Sequence, residues 1–194
     1  MADEARVADL LEEFREKSEP LGVIVGRVAT EDQAAEALAA WVLSLGAVEV
    51  RMAADLMQHA SLLQSEIERA GLRVQPAAAP TETRDSPVGL SLGRLAIAET
   101  GSVLLSEPSL EDRSVGMLSL TQAIVCPTDA LVASLDDAVP MMRRLATSTG
   151  GAFSTLVTGP SRTADIERVL TVGVQGPGVV MTLFVDSLDA EPWE

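Results

Sequence analysis

The chain contains no tyrosine, a single cysteine, a single histidine and a single lysine. Each scarcity excludes something. Cys126 alone cannot form an internal disulfide, a tetrathiolate zinc site or an iron–sulfur cluster. His59 alone rules out a polyhistidine metal site, and any Ser-His-Asp triad would have to use that one residue. With aromatics at 3%, no platform for stacking bases is expected. Fourteen Lys+Arg against 29 Asp+Glu leave a net charge of −15, which repels a phosphate backbone. No apolar run approaches the roughly 18 residues of a membrane helix, and no basic start precedes an apolar block. The expectation is a cytoplasmic protein with no membrane span and no signal peptide.

What is present is a large apolar content, 47% of 194 residues. That is too much for a disordered acidic chain and enough for one domain with a substantial core. Residues 1–17 predict a charged amphipathic helix, with Val7, Leu10, Leu11 and Phe14 at helical spacing. Leu21 to Val28 is a β-rich run. Thr30 and Gln33 fit a capping box, and the helix they open ends at Gly46. Val48–Met52 alternates like a strand, Asp55–Ala70 predicts a helix closed by Gly71, and Leu72–Val74 resumes a strand. This repeated helix–glycine–strand order predicts an α/β fold. Gln75–Pro87 reads as a surface loop. Val88–Leu95 is expected to be a short helix, with apolar runs at 96–98 and 103–105. Ser114–Leu120 and Ala123–Val125 are expected to be short strands, Asp129–Ala146 a helix with Pro140 a kink, and Ala152–Val157 a strand. Ile166–Leu170 leads into another apolar run, and Val179–Val185 reads as a central strand.

Three polar, glycine-rich turns interrupt the apolar runs: Glu99-Thr100-Gly101-Ser102, the stretch from Thr158 to Glu167, and Gly173 to Gly178. In open α/β sheets ligands bind outside the carboxyl ends of strands, on loops of this kind. Consecutive N–H groups in such turns can cradle an anion. In the second turn Arg162 could fork onto a carboxylate or phosphate. Ser161, Thr163, Asp165 and Glu167 could complete such a site, or serve as ordinary first-turn residues of a helix. Glu99 could be a general base or nucleophile, or a turn residue accepting from nearby N–H groups. The remaining special residues have simpler readings: His59 in a surface or helix-packing role, Cys126 as a buried small apolar side chain, Trp41 in the core.

Together the three blocks, in this order and spacing, resemble the lactate-utilization C family, the LUD domain. The match runs over about residues 20–185 and is most specific at Ser161-Arg162-Thr163-Ala164-Asp165-Ile166-Glu167. The resemblance implies a single-domain α/β fold of the NagB/RpiA/CoA-transferase-like group, a mostly parallel sheet flanked by helices. It divides the chain into an N-terminal helix at 1–19, a LUD-type domain at 20–187 and an acidic tail at 188–194. It implies a non-redox part in a system that oxidises L-lactate to pyruvate, beside companion proteins that carry iron–sulfur clusters. No cofactor is expected in this chain itself, and no metal. A small carboxylate, a phosphate or a partner protein would bind through Thr100, Gly101, Ser102, Ser161, Arg162, Thr163, Asp165, Glu167, Gln175 and Gly176. In the third block the family usually carries His where Gln175 stands, so proton transfer there is not expected. The alternative is a stand-alone isomerase or acyl/CoA transferase using Glu99.

Overall fold

The computed structural model describes residues 2–147, 153–163, 171–173 and 176–188. In chain order the strands are β1 Val23–Val28, β2 Glu49–Met52, β3 Arg73–Pro76, β4 Val88–Leu92, β5 Leu95–Ile97, β6 Ser102–Ser106, β7 Thr121–Pro127, β8 Leu131–Val132, β9 Ser154–Val157, β10 Arg162–Thr163, β11 Thr171–Val172 and β12 Val179–Val185. The helices are α1 Ala2–Ser18, α2 Glu31–Ser44, α3 Ala54–His59, α4 Ser61–Arg69, α5 Pro80–Thr83, α6 Leu110–Leu118 and α7 Leu135–Thr147.

The main sheet has six strands in the order β1-β12-β7-β4-β2-β3. Every pairing in it is parallel. Its central strands are apolar on both faces, as a sheet covered on both sides requires. One face, with Leu90, Ala123, Val125, Leu183 and Val185, packs on α2 and α4 through Leu38, Val42, Leu63 and Ile67. The other face, with Ile124, Cys126, Val180 and Phe184, packs on α1 and a second sheet. That second sheet runs β8-β5-β6-β9, antiparallel except for the β5–β8 pair. The arrangement is a single α/β domain with a mostly parallel sheet flanked by helices, as expected.

Local signals fix several boundaries. The Thr30 side chain accepts from Gln33 N at 3.3 Å, and Gln33 Oε1 accepts from Ala29 N at 2.9 Å. The capping box therefore forms as the sequence predicts. Other expectations need correction. Val88–Leu95 is not a helix: Val88–Leu92 is a fully buried strand. A strand covered on both faces loses its alternation and reads like a short buried helix. Ser114–Leu120 is not a strand but the end of α6, opened by Ser109, whose hydroxyl accepts from Asp112 N at 2.9 Å. The expected helix at Asp129–Ala146 begins only at Leu135, after a 3-10 turn at Thr128–Ala130 and the short strand β8. The Ser134 hydroxyl there accepts from Asp137 N at 3.2 Å, marking the true start. Asp55–Ala70 divides into α3 and α4 at Ala60, which leaves the helical region at φ −127° and ψ 60°. The loop Gln75–Pro87 contains one helical turn, α5. Residues 166–170 and 189–194 lie outside the described residues.

The N-terminal helix is part of the core. Phe14 is fully buried and meets Phe184 of β12 edge-to-face, with ring centroids 5.2 Å apart. The first polar turn sits under the same helix. Gly101 has φ +63°, and a Cβ there would lie 2.9 Å from Lys17 Cβ and Ser18 N. Glycine at this turn thus lets α1 dock. Phe14→Ala is expected to cost about 3–5 kcal/mol in denaturant unfolding, the range for emptying a buried aromatic site.

Candidate functional site

Two of the three turns converge on one groove of about 790 Å³. Its walls include Thr158, Gly159 and Ser161 from the second turn and Gly173, Gly176 and Pro177 from the third. Backbone hydrogen bonds join the two: Ser161 N donates to Pro177 O at 2.9 Å, and Gly173 N donates to Ser161 O at 2.8 Å. Gly176 has φ +104°, and a Cβ on it would meet Ser161 Cβ at 3.2 Å. The rest of the wall comes from Arg84 and Asp85, from Gly116 to Leu120 at the end of α6, and from Gln122, Leu156, Val157 and Val180.

The position of this groove overturns one expectation. Asp85 precedes β4, Leu120 precedes β7 and Pro177 precedes β12, and these three strands are neighbours in the sheet. The groove therefore lies at the amino ends of the parallel strands, not at the carboxyl ends where α/β ligands usually bind. The turns lead into strands of the main sheet, or leave strands of the second sheet, so their glycines face the opposite edge.

The remaining candidate residues are distributed as follows. Ser102 is buried, and its hydroxyl lies 2.7 Å from Thr158 Oγ1, which places it behind the groove wall. Thr100 is half-buried beneath α1, beside Gly101. Glu99 is exposed and lies outside the groove lining; its Oε2 accepts from Leu135 N at 2.9 Å. That is the first amide of α7, so this carboxylate closes a helix start. Arg162 is exposed, donates from a guanidinium N–H to Leu21 O, and is not among the lining residues. Thr163 lies in β10, opposite Thr171 of β11. Asp165, Glu167 and Gln175 fall outside the described residues.

Residues that local sequence reading did not single out form a second, buried constellation. Gln122 of β7 donates from Nε2 to Ser91 Oγ of β4 at 3.2 Å. Ser91 Oγ donates to Glu107 Oε1, also at 3.2 Å. Glu107 is only 6% exposed, and burial pushes its carboxyl up to about 7, with Asp112 and Asp55 adding to the rise. Toward the carboxyl edge of the sheet, Arg94 pairs with Asp55, and His59 Nδ1 lies 3.2 Å from Asp55 Oδ1. Asp112 accepts from Ala54 N at 2.7 Å and from Ser109 Oγ at 2.7 Å. Burial raises the Asp55 carboxyl, while the Arg94 and His59 charges pull it back. The Cys126 thiol is buried and pushed up by desolvation, so it is an unreactive core side chain. Among the described residues no cluster of His, Cys, Asp and Glu could hold a metal ion. No described helix is long and apolar enough to cross a membrane.

The model of the LUD domain matches residues 11–185. The chain belongs to the LUD domain family. Lactate utilization protein C of Shouchella clausii is 36% identical over 101 residues, covering 51% of this chain and 44% of that protein. Lactate utilization protein C of Bacillus subtilis is 34% identical over 92 residues, covering 46% of this chain and 38% of that protein. The chain thus matches less than half the length of these relatives. The crystal structure of a DUF162 family protein from Deinococcus radiodurans has the same fold, with a TM-score of 0.66 over 92% of this chain and 98% of that one. Sequence identity there is 17%, so the likeness concerns the fold alone.

Two predictions follow from the side-chain placements in this LUD domain. Glu99→Ala removes one acceptor at the start of α7 and is expected to cost about 1 kcal/mol of stability in denaturant unfolding. Glu107 gives a pH-dependent term. Its folded carboxyl titrates at about 7 rather than at the ordinary 4.5, so between those values the folded state holds the extra proton. Stability therefore falls as pH rises from about 4.5 to 7, by about 3 kcal/mol in all, and is level above. Glu107→Gln is expected to remove that slope and to exceed the parent in stability at pH 8, read by urea melts across pH.

Proposed function

We propose that this LUD domain serves an L-lactate-oxidising system as a non-redox component, and that its amino-edge groove docks an apolar segment of a companion protein. The supporting observation is the convergence of the second and third turns on one groove far larger than lactate. Sites of about 300–1,000 Å³ suit drug-sized ligands or side-chain clusters, whereas a three-carbon acid would leave most of this one empty. Its apolar wall includes Met117 and Leu120, 59% and 55% exposed, and Leu156.

Electrostatics favours a partner segment over a free anion. The groove is bounded by the carboxyl end of α6, where the helix dipole presents partial negative charge. Arg84 on its rim stands beside Asp85, and the whole chain carries −15. The lactate role rests on the family and on relatives named lactate utilization protein C. The redox chemistry belongs, in this reading, to companions with iron–sulfur clusters, since one cysteine here cannot hold such a cluster. The site is cytoplasmic in this reading. A stand-alone isomerase or acyl-transferase using Glu99 has less support, because that carboxylate caps α7 outside the groove.

The test is genetic and direct. A strain lacking the gene is expected to lose growth on L-lactate and regain it with the parental copy. Leu120→Glu, a charge placed on an exposed position of the groove wall, is expected to fold normally by circular dichroism yet fail to complement. Full growth of the deletion strain on L-lactate overturns the lactate role. Full complementation by the Leu120→Glu copy overturns the groove as the docking site.

A further inference from the structure

The groove and the buried carboxyl of Glu107 are joined through Gln122 and Ser91. Gln122 is 2% exposed, lines the groove, and donates from Nε2 to Ser91 Oγ at 3.2 Å. Ser91 is fully buried and donates to Glu107 Oε1 at 3.2 Å. A hydroxyl has one proton to give. While Glu107 is a carboxylate it can only accept, so the Ser91 proton must point at it. Ser91 can then only accept from Gln122, which fixes the NH₂ group of that amide inward. Once Glu107 carries a proton the constraint is lifted. The acid can donate to Ser91, Ser91 can donate to the amide oxygen, and the amide can reverse.

We propose that Gln122 is the specificity-determining residue of the groove wall, and that the proton on Glu107, transmitted through Ser91, decides whether its amide can turn N–H donors outward to a carbonyl or carboxylate acceptor. The proposal rests on the reading of the groove as the docking site for its use, but not for its existence. With Glu107 ionised, the amide oxygen faces away from Ser91 and suits a donor such as a peptide N–H. With Glu107 neutral, the wall can meet an acceptor instead, so acceptor binding is accompanied by proton uptake.

The surroundings support the coupling. Glu107 follows β6, and the groups that set its charge are Asp55 from α3 and Asp112 and Arg113 from α6. The two carboxylates favour the proton; Arg113 and the Ser91 hydrogen bond oppose it. The result is a carboxyl near 7, where a small change at the groove is enough to move the proton. Room for the amide is provided by Gly116 of α6, where a Cβ would stand 2.7 Å from Gln122 Nε2.

The test uses the full chain without any ligand. The side-chain amide signal of Gln122, assigned by its loss in Gln122→Ala, is followed by nitrogen–proton NMR from pH 5 to 9. In the parent it is expected to shift with a midpoint near that of the Glu107 carboxyl, itself read by carbon NMR. In Ser91→Ala the carboxyl still titrates but the amide shift is lost. In Glu107→Gln, isosteric and uncharged, the amide is also flat. An amide that ignores pH in the parent, or that keeps its full shift in Ser91→Ala, overturns the proposal. Should Glu107→Gln fail to fold, the parent and Ser91→Ala still decide it. Because no partner is present, failure of the docking reading leaves this result readable, and the reverse holds as well.

Discussion

Helix α6 lies almost in contact with the backbone of the main sheet, and the site depends on that approach. A Cβ on Gly89 of β4 would stand 2.5 Å from Val115 O. The second contact is at Gly116, over Gln122. Side chains at these two positions would push the helix outward by a substantial fraction of a normal packing distance. The floor of the groove would open, and the end of α6 would no longer stand beside the second and third turns. The same approach seals Ser91 and Glu107 from water, and this desolvation is the main cause of the raised carboxyl.

The two ends of the parallel strands have divided the chemistry between them. At the carboxyl end the two carboxylates are held by neighbours in the fold: Asp55 by Arg94 and His59, Asp112 by Ser109 and the Ala54 amide. Such a network holds α3, the end of β4 and α6 in register. At the amino end the loops are stitched by their own backbones, as Gly178 N to Leu120 O at 2.9 Å shows. They leave apolar side chains facing outward. Paired polar groups at one edge thus stand opposite exposed apolar side chains, Met117 and Leu120, at the other.

Much of the fold was legible in the residues. The capping box at Thr30 and Gln33 and the parallel, doubly covered strand Val179–Val185 carry their instructions locally. Two errors had one cause: short apolar runs at 88–95 and 114–120 are too brief for their period to separate strand from helix. Ser109 and Asp112, three residues apart, held the missing helix-start signal. All three turns were read as parts of one site; the second and third line one groove, whereas Glu99 of the first lies outside it, at the start of α7. Glu107 was not recoverable, because its character comes from Ser91, Asp55 and Asp112, distant in sequence or on another element. Nor was the edge of the sheet on which the turns open, because that depends on which strands they join.

The register of the outermost strands has a further consequence, for colloidal behaviour. β3 forms one border of the six-stranded sheet and ends on Pro76, which has no N–H to offer a neighbouring chain. Its Arg73 is turned to Glu49 on β2 at 3.0 Å, placing charge along the same border. On the β3 side the sheet thus resists growing by addition of further strands. Along that border the domain therefore offers a second copy little to pair with, which closes one route to self-association.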